Sequence, residues 1–353
     1  MHALEALQSE HDLTLFTFER PDIDELNEYF RTDVVDVQVQ VAGSIGPKLR
    51  ERAGHRFLKL QAALLGRYIR RHEDGFDLIL STKNEFSFET PSVQYIHSPQ
   101  FAKADPGLDK VDPINQAYDA VCRALAGVDA SRIEDAVLLA NSDWTAGVVA
   151  DAYGASAETV YPPVNTSQFP RRAWEDREPG FLTIGRIGPS KRILQNVEVV
   201  ATLRERGHDV HLHVIGPTTD GEYCDRVRER AAELEFVHVE GAVEYDRLLD
   251  LIASHRYGLH GRPYEHFGIA VAELLAGGTI PFAPNSGGQR EILAEDPRLL
   301  YDSPKEAVTK IDRILSDDAL QREIRESFRT DDLPFDREAF EENVRTVVER
   351  ASA

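Results

Sequence analysis

The sequence predicts an α/β protein made of two doubly wound domains. Short apolar runs typical of buried parallel strands alternate along the chain with segments of helical spacing. The 353 residues are enough for two domains of ordinary size, each with its own hydrophobic core. In the second half of the chain, the segments that follow the strands contain carboxylates, glycines and the start of a helix. These features are typical of the edge of a parallel sheet where a ligand binds.

The composition is strongly acidic. Asp and Glu total 61 against 40 Lys and Arg, so the formal net charge is 40 − 61 = −21. This charge argues against nucleic acid as a partner and against unaided adhesion to anionic lipid. The chain is also poor in lysine, and this combination suggests a halophilic protein from a salt-rich cytoplasm, with an ordinary acidic protein as the alternative.

Cysteine usage and hydropathy both favour a cytoplasmic location. Cys122 and Cys224 lie far apart in the sequence, so no disulfide framework is implied. The amino terminus has neither a basic start nor an apolar run, and no later segment approaches membrane-spanning length. We expect at most peripheral contact with the inner face of a membrane.

The amino-terminal domain is expected to cover residues 1–162. Helical spacing that ends at Leu7 is followed at once by the apolar strand Leu13–Thr17, and residues 48–71 have helical spacing with a basic face. A doubly wound domain normally opens with a strand and a Gly-rich loop, and both are missing here. Either the start is truncated, which we favour, or the domain lacks this element. Further strands are expected at residues 34–41, 76–81, 92–96 and 136–141, with Ser142 as the N-cap of the next helix.

One histidine of this domain is a site candidate. The strand at residues 92–96 ends in His97-Ser-Pro99, and Pro99 stops the ladder beyond it. A histidine at the carboxyl end of a parallel strand is well placed to meet a ligand. His97 alone is weak evidence, because most histidines are surface or core residues.

A proline-stiffened linker separates the two domains. The segment Val160–Asn165 contains two prolines, and we place the boundary near Pro162. The second domain is expected over residues 163–330, followed in residues 331–353 by a carboxyl-terminal helix that crosses back to the amino-terminal domain.

The second domain opens with a strand and a glycine-bearing loop. Gly185 and Gly188 permit a tight turn in which Arg186 and Lys191 can place two cations on one anion. The plainer interpretation is two surface cations in a turn. The loop directly follows a strand, which is also the position expected of an anion site.

The most informative stretch is residues 262–291. Gly268 lets the backbone approach a ligand where the helix Ile269–Ala276 begins, and the unpaired N–H groups there suit a diphosphate. Glu265 precedes this helix, and Glu273 lies in it among small and apolar residues. A carboxylate in such surroundings needs a hydrogen-bond donor, which a sugar or ribose hydroxyl supplies. The plainer interpretation is an ion pair with a neighbouring arginine.

Two histidines of the second domain could be read as metal ligands. His211 and His213 lie on one face of the strand expected at residues 209–216. No third ligand with suitable spacing follows, so we interpret both as structural and predict no metal site.

The motifs resemble those of a known family. The stretch of residues 262–291, with Glu265 and Glu273, resembles the two-glutamate signature of retaining family-four glycosyltransferases. Within it, Glu265-His-Phe-Gly-Ile269 with Asn285-Ser-Gly-Gly288 is most similar to the mannosyltransferases that extend dolichol-linked oligosaccharides. Tyr95-Ile-His-Ser-Pro99 and the loop from Gly185 to Lys191 are similar to further family segments. The resemblance runs, with gaps, from about His11 to the carboxyl terminus. It implies the GT-B fold, in which two Rossmann-like domains face each other across a cleft.

The resemblance also implies a role for each candidate. Arg186 and Lys191 would hold the donor diphosphate, Glu265 the transferred sugar, and Glu273 the ribose, while His97 would meet the sugar. Lys48, Arg50 and Arg52 are weak candidates for acceptor contacts. The catalytic candidates are His97, Arg186, Lys191 and Glu265, and the donor-binding candidates are Gly185, Arg186, Lys191, Gly216, Val243, Glu265, His266, Phe267, Gly268, Ile269 and Glu273.

The implied reaction is transfer of a hexose, with retention, to a glycan or a lipid-linked glycan. The favoured donor is GDP-mannose, with a UDP-sugar as the nearest alternative. No metal or other cofactor is expected, because cations and a helix start can stabilise the leaving diphosphate and no Asp-x-Asp is placed to hold a metal. The alternatives are a GT-B sugar-nucleotide epimerase and a non-catalytic nucleotide-sugar-binding partner subunit. The oligomeric state is not predicted.

Overall fold

The computed structural model describes residues 1–42, 58–83, 85–101, 113–328 and 333–352. The chain forms two compact units, one made of Met1–Pro163 with Arg337–Ala353 and the other of Val164–Asp336. Every strand pairing in the described residues is parallel. The predicted α/β class is therefore confirmed.

The first unit holds two parallel sheets in its described part, one of two strands and one of four, in the order β1-β2 and β3-β4-β5-β6. These strands are β1 (Leu13–Thr17), β2 (Val37–Val41), β3 (Ile79–Ser81), β4 (Ser92–Ile96), β5 (Val137–Ala140) and β6 (Ala157–Thr159). Its helices, numbered in chain order, are α1 (His2–Leu7), α2 (Ile23–Phe30), α3 (Leu58–Ile69), α4 (Pro113–Ala126), α5 (Ala130–Glu134), α6 (Asp143–Tyr153) and α14 (Arg337–Ser352).

The last helix of the chain completes the core of the first unit. Apolar residues of α14, among them Val344 and Val348, pack in one buried cluster with Ala6 of α1 and Val93 of β4. The predicted N-cap is confirmed, because the Ser142 hydroxyl accepts a hydrogen bond from a backbone N–H one turn into α6. Strands β1 and β4 have the predicted bounds.

The second unit is a single six-stranded parallel sheet with helices, in the strand order β12-β11-β10-β7-β8-β9. Its strands are β7 (Glu178–Ile184), β8 (Leu212–Ile215), β9 (Val237–Gly241), β10 (His255–Leu259), β11 (Ile280–Pro284) and β12 (Leu300–Tyr301). Its helices are α7 (Ile193–Glu205), α8 (Gly221–Ala232), α9 (Tyr245–Ser254), α10 (Ile269–Ala276), α11 (Gln289–Ile292), α12 (Pro304–Leu315) and α13 (Asp318–Ser327).

The second sheet agrees closely with the sequence prediction. Helix α10 has the predicted bounds, whereas β10 begins at His255, earlier than the short strand that the sequence pattern indicates at Gly258-Leu-His260. The early start includes a register shift between His255 and Tyr257, where β10 pairs with β7. Such an irregularity hides a strand start from pattern reading, because the side chains no longer alternate regularly.

The chain enters and leaves the second unit side by side. The backbone N–H of Val164 donates to the carbonyl of Phe335 at 2.8 Å, and Val164 forms a parallel bridge with Asp336. Among the described helices, none combines the length and the apolar character needed to cross a bilayer.

Candidate active site

Five loops meet at the carboxyl edge of the second sheet. They follow β7, β8, β9, β10 and β11, which are neighbours in one parallel sheet. In an open parallel sheet, this edge is where ligands bind. All donor-binding residues predicted from the sequence lie in these loops or in α10.

The loops after β7 and β8 touch through two glycines. Gly185 has φ +144° and Gly216 has φ +143°, conformations that L side chains rarely adopt. A Cβ at Gly216 would lie 2.1 Å from the carbonyl oxygen of Gly185. Both glycines therefore serve the close approach of two backbones at this edge.

Glu265 is the centre of a buried cluster of charge. Its Oε1 accepts a hydrogen bond from Nζ of Lys191, and it also lies 3.2 Å from Nε2 of His260. Nε of Arg262 is 3.8 Å from the other carboxylate oxygen. The side chains of Lys191 and Glu265 are only 15% and 14% exposed, so water screens this pair weakly.

The neighbours of Glu265 keep it ionised. Burial opposes the charge, but the His260 imidazole and the Lys191 ammonium outweigh burial and hold the pKa of Glu265 well below its ordinary value. Burial also lowers the pKa of His260, which favours a neutral imidazole beside the carboxylate. The cluster therefore places one negative charge, Glu265, among two positive charges, Lys191 and Arg262, and a neutral imidazole.

The loop after β11 fixes the backbone of Glu265. The N–H of Gly288 donates to the carbonyl of Glu265 at 2.8 Å. Gly287 has φ +73°, and a Cβ there would lie 2.4 Å from the same carbonyl oxygen. The glycine pair seen in the sequence thus brings two loops of this edge into contact.

Helix α10 begins next to this cluster. Its N-cap is Gly268, with φ +104° and no side-chain capping bond, so the first N–H groups of the helix are open to an anion. The side chain of Ile269 is 46% exposed, whereas Phe267 is buried. His266 is partly buried in the same turn.

Glu273 lies one turn further along α10. No hydrogen bond or ion pair to its carboxylate occurs within the described ranges, so the proposed pairing with an arginine is not found there. Glu273 as a whole residue is partly exposed, but its carboxyl group is enclosed by the protein. Burial raises the pKa of this carboxyl to about 7. A group with several hydroxyl donors would favour the ionised form.

The remaining donor candidates are more open. Arg186 is exposed in the loop after β7, and Val243 is partly buried between β9 and α9. Arg186 has no ion-pair partner in the part of the chain that the structure describes. Its guanidinium is therefore available to a ligand phosphate.

His97 belongs to the first unit and ends β4. It is exposed, its Nε2 lies 3.2 Å from the carbonyl oxygen of Thr82, and its carbonyl accepts from Nδ2 of Asn141 at 3.1 Å. Its ring makes an edge contact with Tyr95, 4.8 Å between centroids. The predicted acceptor contacts Lys48, Arg50 and Arg52 lie outside the described residues.

Sequence reasoning missed two members of the Glu265 cluster. His260 follows β10, and the argument made for His97, a histidine at the carboxyl end of a strand, applies to it equally. Arg262 begins the informative stretch but had no role assigned. Neither contact with Glu265 is visible in the sequence, because the loop must fold back on itself to make it.

A cavity of about 790 Å³ also lies in the second unit. Its walls include Arg171, Arg177 and Gly277, and none of the predicted site residues lines it. The donor candidates therefore lie outside this cavity.

The comparisons with known proteins match the second unit to a family. Residues 164–331 match the model of glycosyl transferases group 1. A GDP-Man:Man(3)GlcNAc(2)-PP-Dol alpha-1,2-mannosyltransferase of Dictyostelium discoideum is 29% identical over 203 residues, 51% of this chain and 40% of that protein. The Homo sapiens protein of the same name is 28% identical over 273 residues, 71% of this chain and 54% of its own length. The chain thus spans about half the length of these curated relatives.

Solved structures show the same fold over nearly the whole chain. Anabaena HepE in complex with UDP has a TM-score of 0.72 at 15% identity, covering 99% of this chain and 95% of that one. Sucrose-phosphate synthase from Thermosynechococcus elongatus has a TM-score of 0.69 at 17% identity, covering 99% and 91%. The chain therefore has the GT-B fold, and its residues 164–331 match the glycosyl transferases group 1 family.

Proposed function

We propose that the protein is a retaining glycosyltransferase that moves a hexose from a nucleoside diphosphate sugar to a glycan or a lipid-linked glycan. The observation that carries the proposal is the cluster at the carboxyl edge of the second sheet. There the ion pair of Lys191 and Glu265 lies beside the open start of α10. The arrangement suits a ligand with an anionic diphosphate and a sugar rich in hydroxyls.

Each group has a role in the proposed transfer. As the donor bond breaks, negative charge grows on the leaving diphosphate, and Arg186, Lys191 and the start of α10 stabilise it. Glu265 accepts hydrogen bonds from hydroxyls of the transferred sugar, and Glu273 accepts them from the ribose. His97 orients the sugar from the first unit. The diphosphate takes the proton of the attacking acceptor hydroxyl, so no side chain is a required nucleophile.

GDP-mannose is the proposed donor, and transfer needs no metal in this proposal. The choice of donor rests on the names of the curated relatives, which specify GDP-Man and a dolichol-linked glycan. A lipid-linked acceptor would bring the protein to a membrane surface. A cytoplasmic location, suggested by two cysteines that form no disulfide, and adaptation to high salt belong to the same proposal.

Ligand-dependent unfolding tests the donor site. GDP, UDP, GDP-mannose and UDP-glucose are titrated into the wild-type chain and the Glu273→Ala variant. At a concentration one hundred times its dissociation constant, the correct ligand should add about 2.7 kcal/mol to the free energy of unfolding of the wild type. The variant should lose most of this gain. Equal stabilisation of both proteins, or of neither, would contradict the proposal.

A transfer assay separates catalysis from binding. The chain is incubated with the stabilising nucleotide sugar and a dolichol-linked oligosaccharide, with and without EDTA, and the product glycan is analysed by mass spectrometry. We expect one added hexose in both cases. Donor binding without transfer to any glycan acceptor would instead support a binding subunit.

A further inference from the structure

Three histidines meet at the amino ends of the strands of the second sheet, the edge opposite the candidate active site. His211 directly precedes β8, His213 lies in β8 and His255 begins β10. One nitrogen of each ring lies within 4.8 Å of one nitrogen of each other ring. The ring centroids are 5.2 Å apart for His211 and His213, 5.2 Å for His211 and His255, and 4.8 Å for His213 and His255.

A glycine makes this meeting possible. In the sheet, β7 lies between β8 and β10, so a side chain on β7 would normally separate the rings. Gly180 of β7 has none, and a Cβ there would lie 2.2 Å from Nε2 of His211. The imidazoles therefore come together over the backbone of the middle strand.

The hydrogen bonds of two rings decide where their protons lie. Nδ1 of His255 is 2.8 Å from the carbonyl oxygen of Leu251, and Nδ1 of His213 is 2.7 Å from Oε1 of Glu240. Carbonyl and carboxylate oxygens only accept, so each Nδ1 donates a proton, which in a neutral ring leaves the lone pair on Nε2 to bind a metal. Hydrogen bonds of this kind orient imidazole ligands in metal sites.

Two of the ring nitrogens are buried without a partner. Nε2 of His255, a residue only 2% exposed, and Nε2 of His211 have no hydrogen-bond partner within the described ranges. The nearest carboxylate oxygen to His211, Oε2 of Glu178, is 3.5 Å away. Buried polar atoms are normally paired, so two unpaired nitrogens in one cluster of rings require an explanation.

We propose that His211, His213 and His255 bind a divalent transition-metal ion, with zinc as the expected ion. Imidazole nitrogens are preferred ligands of zinc, and three of them leave a fourth position for water or a carboxylate such as Glu178. The ion would join β8 to β10 across β7 and so brace the sheet. Because it lies at the amino edge, it takes no part in chemistry at the carboxyl edge.

A second cluster of possible ligands serves as a control. His2, Glu5 and Glu341 also lie close enough to share an ion. There, however, the guanidinium of Arg337 already pairs with both carboxylates. This cluster needs no metal, so the His2→Gln variant should bind zinc like the wild type.

Metal competition tests the site directly. The purified full chain is stripped with EDTA, dialysed, and titrated with zinc against a chromophoric chelator. We expect one tight ion per chain and a higher unfolding midpoint, which EDTA reverses. The Glu240→Gln variant should bind about 10- to 100-fold more weakly, since it loses the partner of His213. The Glu235→Gln variant makes the same charge change on an exposed residue and should leave the affinity unchanged.

Direct ligand variants and cobalt complete the test. His213→Gln should abolish stoichiometric binding, and cobalt added to the stripped wild type should give the visible bands of a low-coordinate site with nitrogen ligands. Failure of wild-type protein to bind one zinc tightly, or binding that survives His213→Gln, would overturn the proposal. If His255→Gln does not fold, the cobalt spectrum of the wild type still decides, because the absence of bands excludes the site.

Discussion

At the scale of single residues, Glu273 has a buried carboxyl group. Within the described residues, this carboxyl has no hydrogen-bond or ion-pair partner. Burial raises its pKa to about 7, above the ordinary value of 4.5. An acid with a raised pKa holds its proton in the folded state after the unfolded chain has lost it. The contribution of Glu273 to the free energy of unfolding therefore falls as pH rises between the two pKa values. Above about pH 7 this contribution becomes constant.

We expect Glu273→Gln to stabilise the ligand-free protein at high pH. The amide cannot ionise, so the variant should gain about 2 kcal/mol over the wild type at pH 8.5 and much less at pH 5.5. Urea unfolding at both pH values measures the gap. Glu229→Gln, at an exposed position of α8, is the matched control and should show no such pH dependence. If the difference in stability between the variant and the wild type shrinks as pH rises, the Glu273 carboxyl does not have a raised pKa.

At the scale of elements, the carboxyl edge depends on glycines that let loops touch. Gly185 and Gly216 bring the loops after β7 and β8 together, and Gly287 brings the loop after β11 against Glu265. Their function is visible only in the contacts between elements. The sequence shows merely that glycine follows a strand.

We expect Gly216→Ala to destabilise the protein by about 2 kcal/mol or more, because its φ is unfavourable for alanine and the new methyl group would meet the Gly185 carbonyl. Gly147→Ala is the paired comparison. Gly147 lies in α6, and a methyl group added there would meet no neighbouring element within 4 Å, so alanine should stabilise by about 0.5 to 1 kcal/mol. Chemical denaturation measures the change in the free energy of unfolding for both variants, which should have opposite signs. Destabilisation by both substitutions would contradict the role given to Gly216.

Local patterns predicted the elements well, and long-range contacts account for what was missed. Helix α10 and the Gly185–Lys191 loop follow from periodicity and glycine placement within a few residues. The partnership of Lys191 with Glu265 joins two loops that are distant in sequence, and only the resemblance brought them together. His255 could not be recognised as a neighbour of His211 because strand order, which places β10 next to β7, is a property of the folded sheet.

At the scale of the whole molecule, the net charge of −21 opposes compaction. Like charges repel across the surface, and salt shortens the range of this repulsion from about 10 Å at 0.1 M to about 3 Å at 1 M. Exposed ion pairs such as Arg204 with Asp209 also weaken in salt, but each contributes typically under about 1 kcal/mol.

We expect the unfolding midpoint to rise as KCl increases from 0.05 M to 2 M. Differential scanning calorimetry at pH 7.5 measures the shift. The same titration at pH 5, where some carboxylates gain protons, is the control and should give a smaller rise. A midpoint that falls with salt at pH 7.5 would show that ion pairs outweigh the general repulsion.

The bridge between Val164 and Asp336 has an evolutionary consequence. Since the second unit starts and finishes at one point, it is topologically an insertion into the first unit, which the chain resumes at Arg337. Recombination could replace such an insertion as one continuous segment without changing the path of the chain in the first unit. A lineage could thereby exchange the whole glycosyl transferases group 1 domain in one genetic event while it keeps the first unit intact.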